Sequence, residues 1–547
     1  MEESSEIISL DNFVIKDKAY KEEIKKRRIK ISLIIISIII VIISIAIIVY
    51  KILTNDYGKI VCIYRTVKDD ETIKLINIYN NDTKFYYIIN EEKYKQNDTH
   101  KFNKAGEHKV TFVFKTKLET LVNLFKGKEN LIEANLTLLE AEKITSLKRT
   151  FYNCINLKKV IFNFKESNLI TDMSNLFRNC TSLEDVIFNF NTENVKDMRG
   201  LFQYCSSLKK IDLSNFNTKS LEYMDFMFDG CGNLSYINLS NFNFELVSDM
   251  TYTFQSCENI KEIDFPNSSF TNNLNYMTGI FKNLKKIERL NLNFLRTDKV
   301  EQMYNLFLGC NRLKELNISQ FNTSKVYDIE GMFLNNSALT SINFSNFDFS
   351  NVLSFDSFLK GCTKLKEVDL SFIEAPILND MTDMFEGCEE LEVIKLPKNL
   401  LGISRLNSTF ENCKKLTSID LSGFNGNEDL LEAKATFKNC ISLKNITFPD
   451  IEADQMKKAP EMFFNCTNLT FINMSKFLTI EIENMDRMFF NCHNLKFLNI
   501  EKFKTKRLIN ASDIFTGVNK LINITYDKIN INDVLQKEIN NLLNNTK

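Results

Sequence analysis

The sequence predicts an α/β solenoid, a right-handed stack of about sixteen 26-residue units sharing one parallel sheet, preceded by a membrane-spanning helix and a small β-domain. Three observations lead there: the spacing of the cysteines, one short strand motif per period, and a single uncharged stretch near the N-terminus. Twelve of the thirteen cysteines, Cys154, Cys180, Cys205, Cys231, Cys257, Cys310, Cys362, Cys388, Cys413, Cys440, Cys466 and Cys492, lie 25 to 27 residues apart or at double that step. Leu284 and Asn336 fill the vacant rungs, and the column extends to Lys128 and Val518. The 390 residues between those ends make fifteen steps averaging 26, hence sixteen units. Self-similarity at this period marks stacked repeats, so 547 residues form one long domain rather than several globular ones. Lys+Arg of 69 against Asp+Glu of 70 leaves a net charge of -1, without the basic footprint of a general nucleic-acid binder. Gly at 15 and Pro at 5 exclude collagen-like and Pro-rich linker classes.

In chain order, residues 1–30 form a short tail whose end is basic: Lys25, Lys26, Arg27, Arg28 and Lys30. Residues 31–50, mostly isoleucine and uncharged, are long enough at ~1.5 Å per residue to span ~30 Å of hydrocarbon. The basic flank puts the tail in the cytosol and everything after Lys51 outside. A cleaved leader would carry a shorter apolar core ending in small residues, whereas this one ends Val49-Tyr50-Lys51, so an uncleaved signal anchor is expected. Residues 51–119 contain the β-rich runs KIVCIYRTV, IKLINIY, KFYYII and HKVTFVFKTK between turns, read as a membrane-proximal β-domain covering the first coil.

The solenoid is expected over 120–526. One unit reads Leu201-Phe202-x-x-Cys205-x-x-Leu208-x-x-Ile211-x-Leu213-Ser214-x-Phe216, then Leu221 and Met224 lead into the next unit. Alternation around Ile211 and Leu213 predicts one short strand. Pro266, Pro397 and Pro449 follow that strand in equivalent positions and stop it. Val195, Met198, Leu201, Phe202 and Cys205, three and four apart, predict a short helix. Strands stacked at ~4.8 Å give a sheet roughly 75 Å long, curved because helices occupy more room than strands. After Asn532-Asp533, the spacing of Val534, Leu535, Ile539, Leu542 and Leu543 predicts a helix in 527–547 that caps the last coil.

The string Met-Phe-x-x-Cys-x-x-Leu-x-x-Ile-x-Leu-Ser-x-Phe-x-Thr-x-x-Val-x-x-Met, nearly whole at Leu201 to Met224, resembles the repeat of BspA-like leucine-rich-repeat surface proteins. The resemblance covers about residues 120–526. It implies a surface-displayed repeat domain concerned with adhesion and binding of host or matrix protein, with no catalytic residues. A signal anchor in place of a cleaved leader departs from that pattern.

Two readings stand for the cysteine column: disulfide or metal chemistry, and a ladder of small buried thiols. In-register side chains point in parallel, which keeps Cβ atoms farther apart than a disulfide prefers, and four rungs lack Cys, so free thiols are expected. On the strand face, one outward column is mostly Asp or Asn: Asp212, Asn238, Asp264, Asn291, Asn317, Asn343, Asp369, Asp420, Asn473 and Asn499. It is either a recognition stripe or a solvated amide ladder. The neighbouring column varies and includes Glu262, Glu315, Glu367, Phe471 and Phe497, so partner choice is expected there. The two phenylalanines form either an exposed patch or a surface covered by the C-terminal segment. Asn-x-Ser/Thr sequons at Asn238, Asn317, Asn343 and Asn473 raise the prospect of glycans on this face.

The sequence implies no cofactor and no metal. There is no His-Glu-x-x-His, no Gly-x-Ser-x-Gly and no phosphate-binding glycine loop. The expected role is non-enzymatic: a single-pass type II glycoprotein of the plasma membrane or another secretory-pathway membrane, binding an extracellular protein or glycan, not nucleic acid, through a concave face. The competing reading is a structural coat or spacer with no specific ligand.

Overall fold

A computed structural model describes residues 24–46, 49, 56–77, 82–424, 430–448 and 453–545. The tail before residue 24, Tyr50, Lys51 and Pro449 lie outside the described residues. The first element, α1 (Ile24–Ala46), is apolar and long enough to cross a membrane. Its two serines donate to carbonyls one turn back, Ser37 to Leu33 at 2.9 Å and Ser44 to Ile40 at 2.8 Å, so neither hydroxyl demands an outside partner in lipid.

The small β-domain contains β1 (Gly58–Thr66), β2 (Glu71–Lys74), β3 (Phe85–Ile89), β4 (Glu92–Lys95), β5 (Thr99–Phe102) and β6 (Gly106–Phe114). The strand expected over the run IKLINIY, residues 73–79, stops at Lys74, and residues 78 and 79 lie outside the described residues. Leu75 and Asn77 instead donate to Asp98 and Leu124 carbonyls at 2.7 and 2.8 Å. The Asn77 amide nitrogen also donates to the Asn123 and Lys126 carbonyls, both at 2.9 Å, so this segment stands in for a preceding coil. The first solenoid strand, β7 (Leu131–Leu139), pairs antiparallel with β1 and parallel with β8 (Lys159–Asn163), which pairs with β9 (Asp185–Asn189). The order β4-β3-β6-β1-β7-β8-β9 thus covers the otherwise open edge of the first coil.

Later coils add β10 (Tyr236–Asn238), β11 (Glu262–Asp264), β12 (Arg289–Leu290), β13 (Glu315–Leu316), β14 (Glu367–Asp369), β15 (Val393–Lys395), β16 (Ser418–Asp420), β17 (Asn445–Thr447), β18 (Phe471–Asn473), β19 (Phe497–Ile500) and β20 (Asn523–Tyr526). All pair parallel and in register, as in Tyr236↔Glu262 and Phe471↔Phe497. The ladder is not one sheet. After β9 it divides into short sheets of two or three strands, since strands of two to four residues contribute few bonds each. At the far end, α2 (Asp533–Asn545) is capped by the Asn532 carboxamide, which accepts from Leu535 N–H at 3.2 Å, and buries Leu535, Ile539 and Leu542 against the core.

The wall preceding each cysteine is the main departure from expectation: it is a run of turns, not a short helix. Gly200 and Tyr204 in one coil, and Phe226 and Gly230 in the next, are left-handed, with φ of 57, 61, 58 and 74°. Amide directions alternate in consequence. Gly200, Phe202 and Tyr204 N–H groups donate to the next coil at Asp225, Met227 and Asp229, at 2.8, 2.8 and 2.7 Å. Leu201, Gln203 and Cys205 N–H groups close turns onto Met198, Gly200 and Phe202. A helix would spend every amide within one coil, whereas this arrangement ties each coil to its neighbour on a second wall. At Gly230, which is left-handed, a Cβ would sit 2.4 Å from the Tyr204 ring, so a larger residue there would have to displace that ring.

Inside, one phenylalanine per coil stacks on the next. From Phe125 to Phe333 successive ring centroids lie 5.4–6.1 Å apart with planes within 13°. Leu359 interrupts the column, and Phe358 meets Phe333 edge-on at 76°. The stack resumes from Phe385 to Phe515.

Candidate functional site

All twelve ladder cysteines are buried and free. Each thiol donates to the main-chain carbonyl of the ring-column residue one coil back, as in Cys257 to Phe228 at 3.0 Å and Cys388 to Leu359 at 3.2 Å. Distances across the column run from 2.9 to 3.3 Å. The residue type is thereby explained: a small apolar side chain with one weak donor suits a buried carbonyl. Asn336 keeps the donor, its amide nitrogen lying 3.0 Å from the Phe307 carbonyl. Burial pushes the Cys310 and Cys362 thiols up to about 12, so both stay protonated at neutral pH and keep the donor that the carbonyl needs. We predict that Cys257→Val costs about 1 kcal/mol, the worth of one hydrogen bond, measured as a drop in the thermal midpoint with the fold retained.

The strand face carries the recognition candidates. Of its Asp/Asn column, Asp264, Asp369 and Asn499 are half-buried and the others exposed. Nine of the ten close a turn on the residue two positions on, accepting its N–H through Oδ1 at 2.9–3.2 Å. The column therefore closes the turns that follow the strands, and its remaining carboxylate oxygens and amide nitrogens are the polar atoms this face presents. Asp264 is the exception because Pro266 has no N–H, and it accepts from the Tyr236 hydroxyl instead. Asp369 also accepts from Lys395 at 2.6 Å, and this lysine with Ser371 holds its carboxyl down at about 2. The strand-face sequons acquire a physical origin here. In Asn238-x-Ser240, Asn317-x-Ser319, Asn343-x-Ser345 and Asn473-x-Ser475 the asparagine and serine are the two ends of one turn, so turn chemistry alone generates the motif. Elsewhere Asn465 is committed to the coil stack, its amide nitrogen 3.0 Å from Asn439 Oδ1.

In the neighbouring column Glu262, Glu315 and Glu367 are exposed, with Arg289 bridging to Glu315 at 3.3 Å. Phe471 and Phe497 are 52% and 42% exposed on adjacent strands, so the C-terminal segment does not cover them. Among the described residues this face holds two clefts of note. One of about 960 Å³ lies between β11 and β12, and one of about 270 Å³ lies beside Glu367 and Val393. Lys261, Lys286 and Arg312, which line the larger cleft, carry no sequence signal of their own: Lys286 and Arg312 share one column, Lys261 lies in another, and only the coil register brings the three together.

A stack of parallel-stranded coils with a regular apolar interior and a chemically varied strand face defines a leucine-rich-repeat solenoid, a fold that serves as a binding scaffold. The profile of the BspA type leucine rich repeat region matches residues 379–521 in six copies. That of DUF285, described as a Mycoplasma protein of unknown function, matches 145–265 and 275–399. Together the two profiles support a BspA-like leucine-rich-repeat family for the solenoid. Among solved structures, a leucine-rich-repeat protein of Leptospira interrogans is 12% identical, with 75% of this chain and 94% of that one covered and a TM-score of 0.23. One from Eubacterium ventriosum is 16% identical, covering 59% and 80%, with a TM-score of 0.25. The Drosophila Toll–Spatzle complex gives 16% identity, 65% and 44% coverage and a TM-score of 0.23. No curated protein matches the chain.

Proposed function

We propose that the protein is a non-enzymatic, single-pass surface protein whose strand face recognises another macromolecule, in adhesion or surface recognition. In this reading residues 1–30 are a cytosolic tail, 31–50 the anchor, 51–119 the membrane-proximal β-domain, 120–526 the recognition solenoid and 527–547 its cap. The observation that carries it is the contrast between columns. Thiol, phenylalanine and turn-forming columns repeat with one chemistry because they hold the coils together, whereas Tyr236, Glu262, Arg289, Glu367, Val393 and Phe471 differ from rung to rung and project outward. An exposed aromatic beside varied charge is the composition of a binding surface rather than of a solvated wall.

The test is attachment of cells displaying the full chain. Glu315→Lys, Glu367→Lys and Phe471→Ser together should reduce attachment at least tenfold at equal surface display, whereas Lys282→Glu and Lys434→Glu, on the wall of turns, should not. Unchanged attachment in the strand-face variant would return the protein to the class of coats and spacers. Orientation is checked by protease treatment of intact cells, where survival of a solenoid that is cut after permeabilisation would reverse the assignment.

A further inference from the structure

We infer that the larger cleft on the strand face is the docking site for a short acidic segment of a protein partner. This inference rests on the recognition role proposed above and names the chemistry of the partner.

The cleft exists because the ladder breaks. β11 ends at Asp264, Pro266 follows, and the next rung comes 27 residues after Cys257, so β11 and β12 belong to separate sheets. The opening is lined by the cations Lys261, Lys286, Arg289, Arg312 and Lys314 against the carboxylates Glu262, Asp264 and Glu288. Two cations are paired, Lys314 with Glu288 at 2.9 Å and Arg289 with Glu315 at 3.3 Å. Lys261, Lys286 and Arg312 have no ion-pair partner among the described residues. The hydrogen bond from Lys314 holds the Glu288 carboxyl below the usual range, with smaller contributions from the more distant charges of Arg312 and Arg289, neither of which is ion-paired to it. Lys286 and Arg312 occupy one column on successive coils, about 4.8 Å apart by strand pitch, an unfavourable pairing of like charges that nothing in the packing requires. Two adjacent exposed cations held by a rigid scaffold form a receptor for carboxylates, Arg312 through its planar fork and Lys286 as a point charge.

The surroundings decide which anion. Glu262 and Asp264 stand inside the cleft, and Glu315, Glu367 and Asp369 continue along the same face. A long uniform polyanion, nucleic acid or sulfated polysaccharide, would run its charge over those carboxylates. The negative charge of the partner must therefore be confined to about three coils, roughly 10 Å, which an extended peptide spans with about three or four residues. A protein bearing a short Asp/Glu run meets that limit.

The experiment uses the full chain in nanodiscs of neutral phosphatidylcholine. The probe is a fluorescein-labelled peptide of four consecutive glutamates flanked by Gly-Ser, read by anisotropy. Its all-glutamine counterpart and a heparin hexasaccharide serve as competitors. Expected results are binding of the glutamate peptide, at least tenfold weaker binding of the glutamine peptide, and affinity falling as salt rises from 50 to 200 mM. Binding should also fall at least tenfold in Lys286→Glu/Arg312→Glu and in the milder Lys286→Ala/Arg312→Ala. Equal or tighter binding of heparin, indifference to the glutamine exchange, or unchanged affinity in both double variants overturns the assignment. No peptide binding alongside lost attachment in the strand-face variants removes the cleft but keeps the recognition role. Failure of both removes the role as well.

Discussion

Raising the pH from 8 to about 11 is expected to unfold the solenoid, and the cysteine ladder is the reason. Thirteen thiols are buried, and burial lifts each above its ordinary 9.0, to about 12 for Cys154, Cys310, Cys362 and Cys492. Below pH 9 the thiols are protonated in folded and unfolded chains alike and contribute no pH dependence. Above it the unfolded chain releases protons that the folded one retains, so stability falls by about 1.4 kcal/mol per pH unit for each thiol that unfolding exposes. Three coils opening together would lose on the order of 4 kcal/mol per pH unit. Lys128 works in the opposite direction. It is 5% exposed, donates to Asn77 Oδ1 at 2.6 Å, and is pulled by burial from 10.5 to about 8. Between those values the unfolded chain holds more protons at this site, and stability gains about 1.4 kcal/mol per pH unit. One lysine against thirteen thiols leaves a net loss. Circular dichroism of the full chain in micelles, with a thiol-reactive disulfide reagent added at each pH, should show a transition between pH 9 and 11 with thiols reacting as it proceeds. Cys231→Val/Cys257→Val/Cys310→Val should move it upward. Native spectra and unreactive thiols at pH 11 would refute the account.

The same column shows how far the sequence reaches. Cysteine spacing established the coil count, and Ile211-x-Leu213-type alternation the strand side, because both record burial, which repeats strictly. The opposite wall was misread as helical for the same reason. Met198, Leu201, Phe202 and Cys205 are buried at helical spacing, yet two left-handed residues per coil bury the same positions while sending alternate amides to the next coil. A local sign was present in the Gly or Asn that precedes most of the ladder cysteines, as at Asn179, Gly230 and Asn439, all with positive φ. The Asp/Asn stripe was legible as a column, and serine two residues later was the mark of its turns. The cationic cleft left no linear trace. Lys261, Lys286 and Arg312 become neighbours only through a register that depends on where the ladder breaks.

Truncation of one ring in the phenylalanine stack should divide the solenoid's unfolding in two. Phe228 is fully buried, with ring centroids 5.8 Å from both Phe202 and Phe254 and planes within 11°. Its main-chain bonds, N–H to Thr253 carbonyl at 2.9 Å and carbonyl from Cys257 at 3.0 Å, do not depend on the side chain. Phe228→Ala therefore loses burial and leaves a cavity flanked by two rings that cannot close together while the coils stay in register. The cost is about 3–5 kcal/mol. In a solenoid each coil contacts only its neighbours, so the loss falls on the interfaces of one coil and spreads only as far as coupling carries it. Coupling is expected to be weaker at Leu359, where the ring stack is interrupted and, among the described residues, no bridge joins Asp328 to Ser354 although bridges run on either side. The wall of turns still sends the Gly331, Phe333 and Asn335 amides to the next coil there. Thermal unfolding of Phe228→Ala should separate into an early transition of the N-terminal half and a later one of the Phe385 to Phe515 half. Hydrogen exchange should lose protection first around residues 198–257. Phe228→Leu, which places in this column the residue the protein itself uses at position 359, should cost about 1 kcal/mol and keep one transition. A single transition for Phe228→Ala, shifted as a whole, would mean that coupling runs through Leu359 undiminished and that the wall of turns, rather than the ring stack, carries cooperativity between the halves.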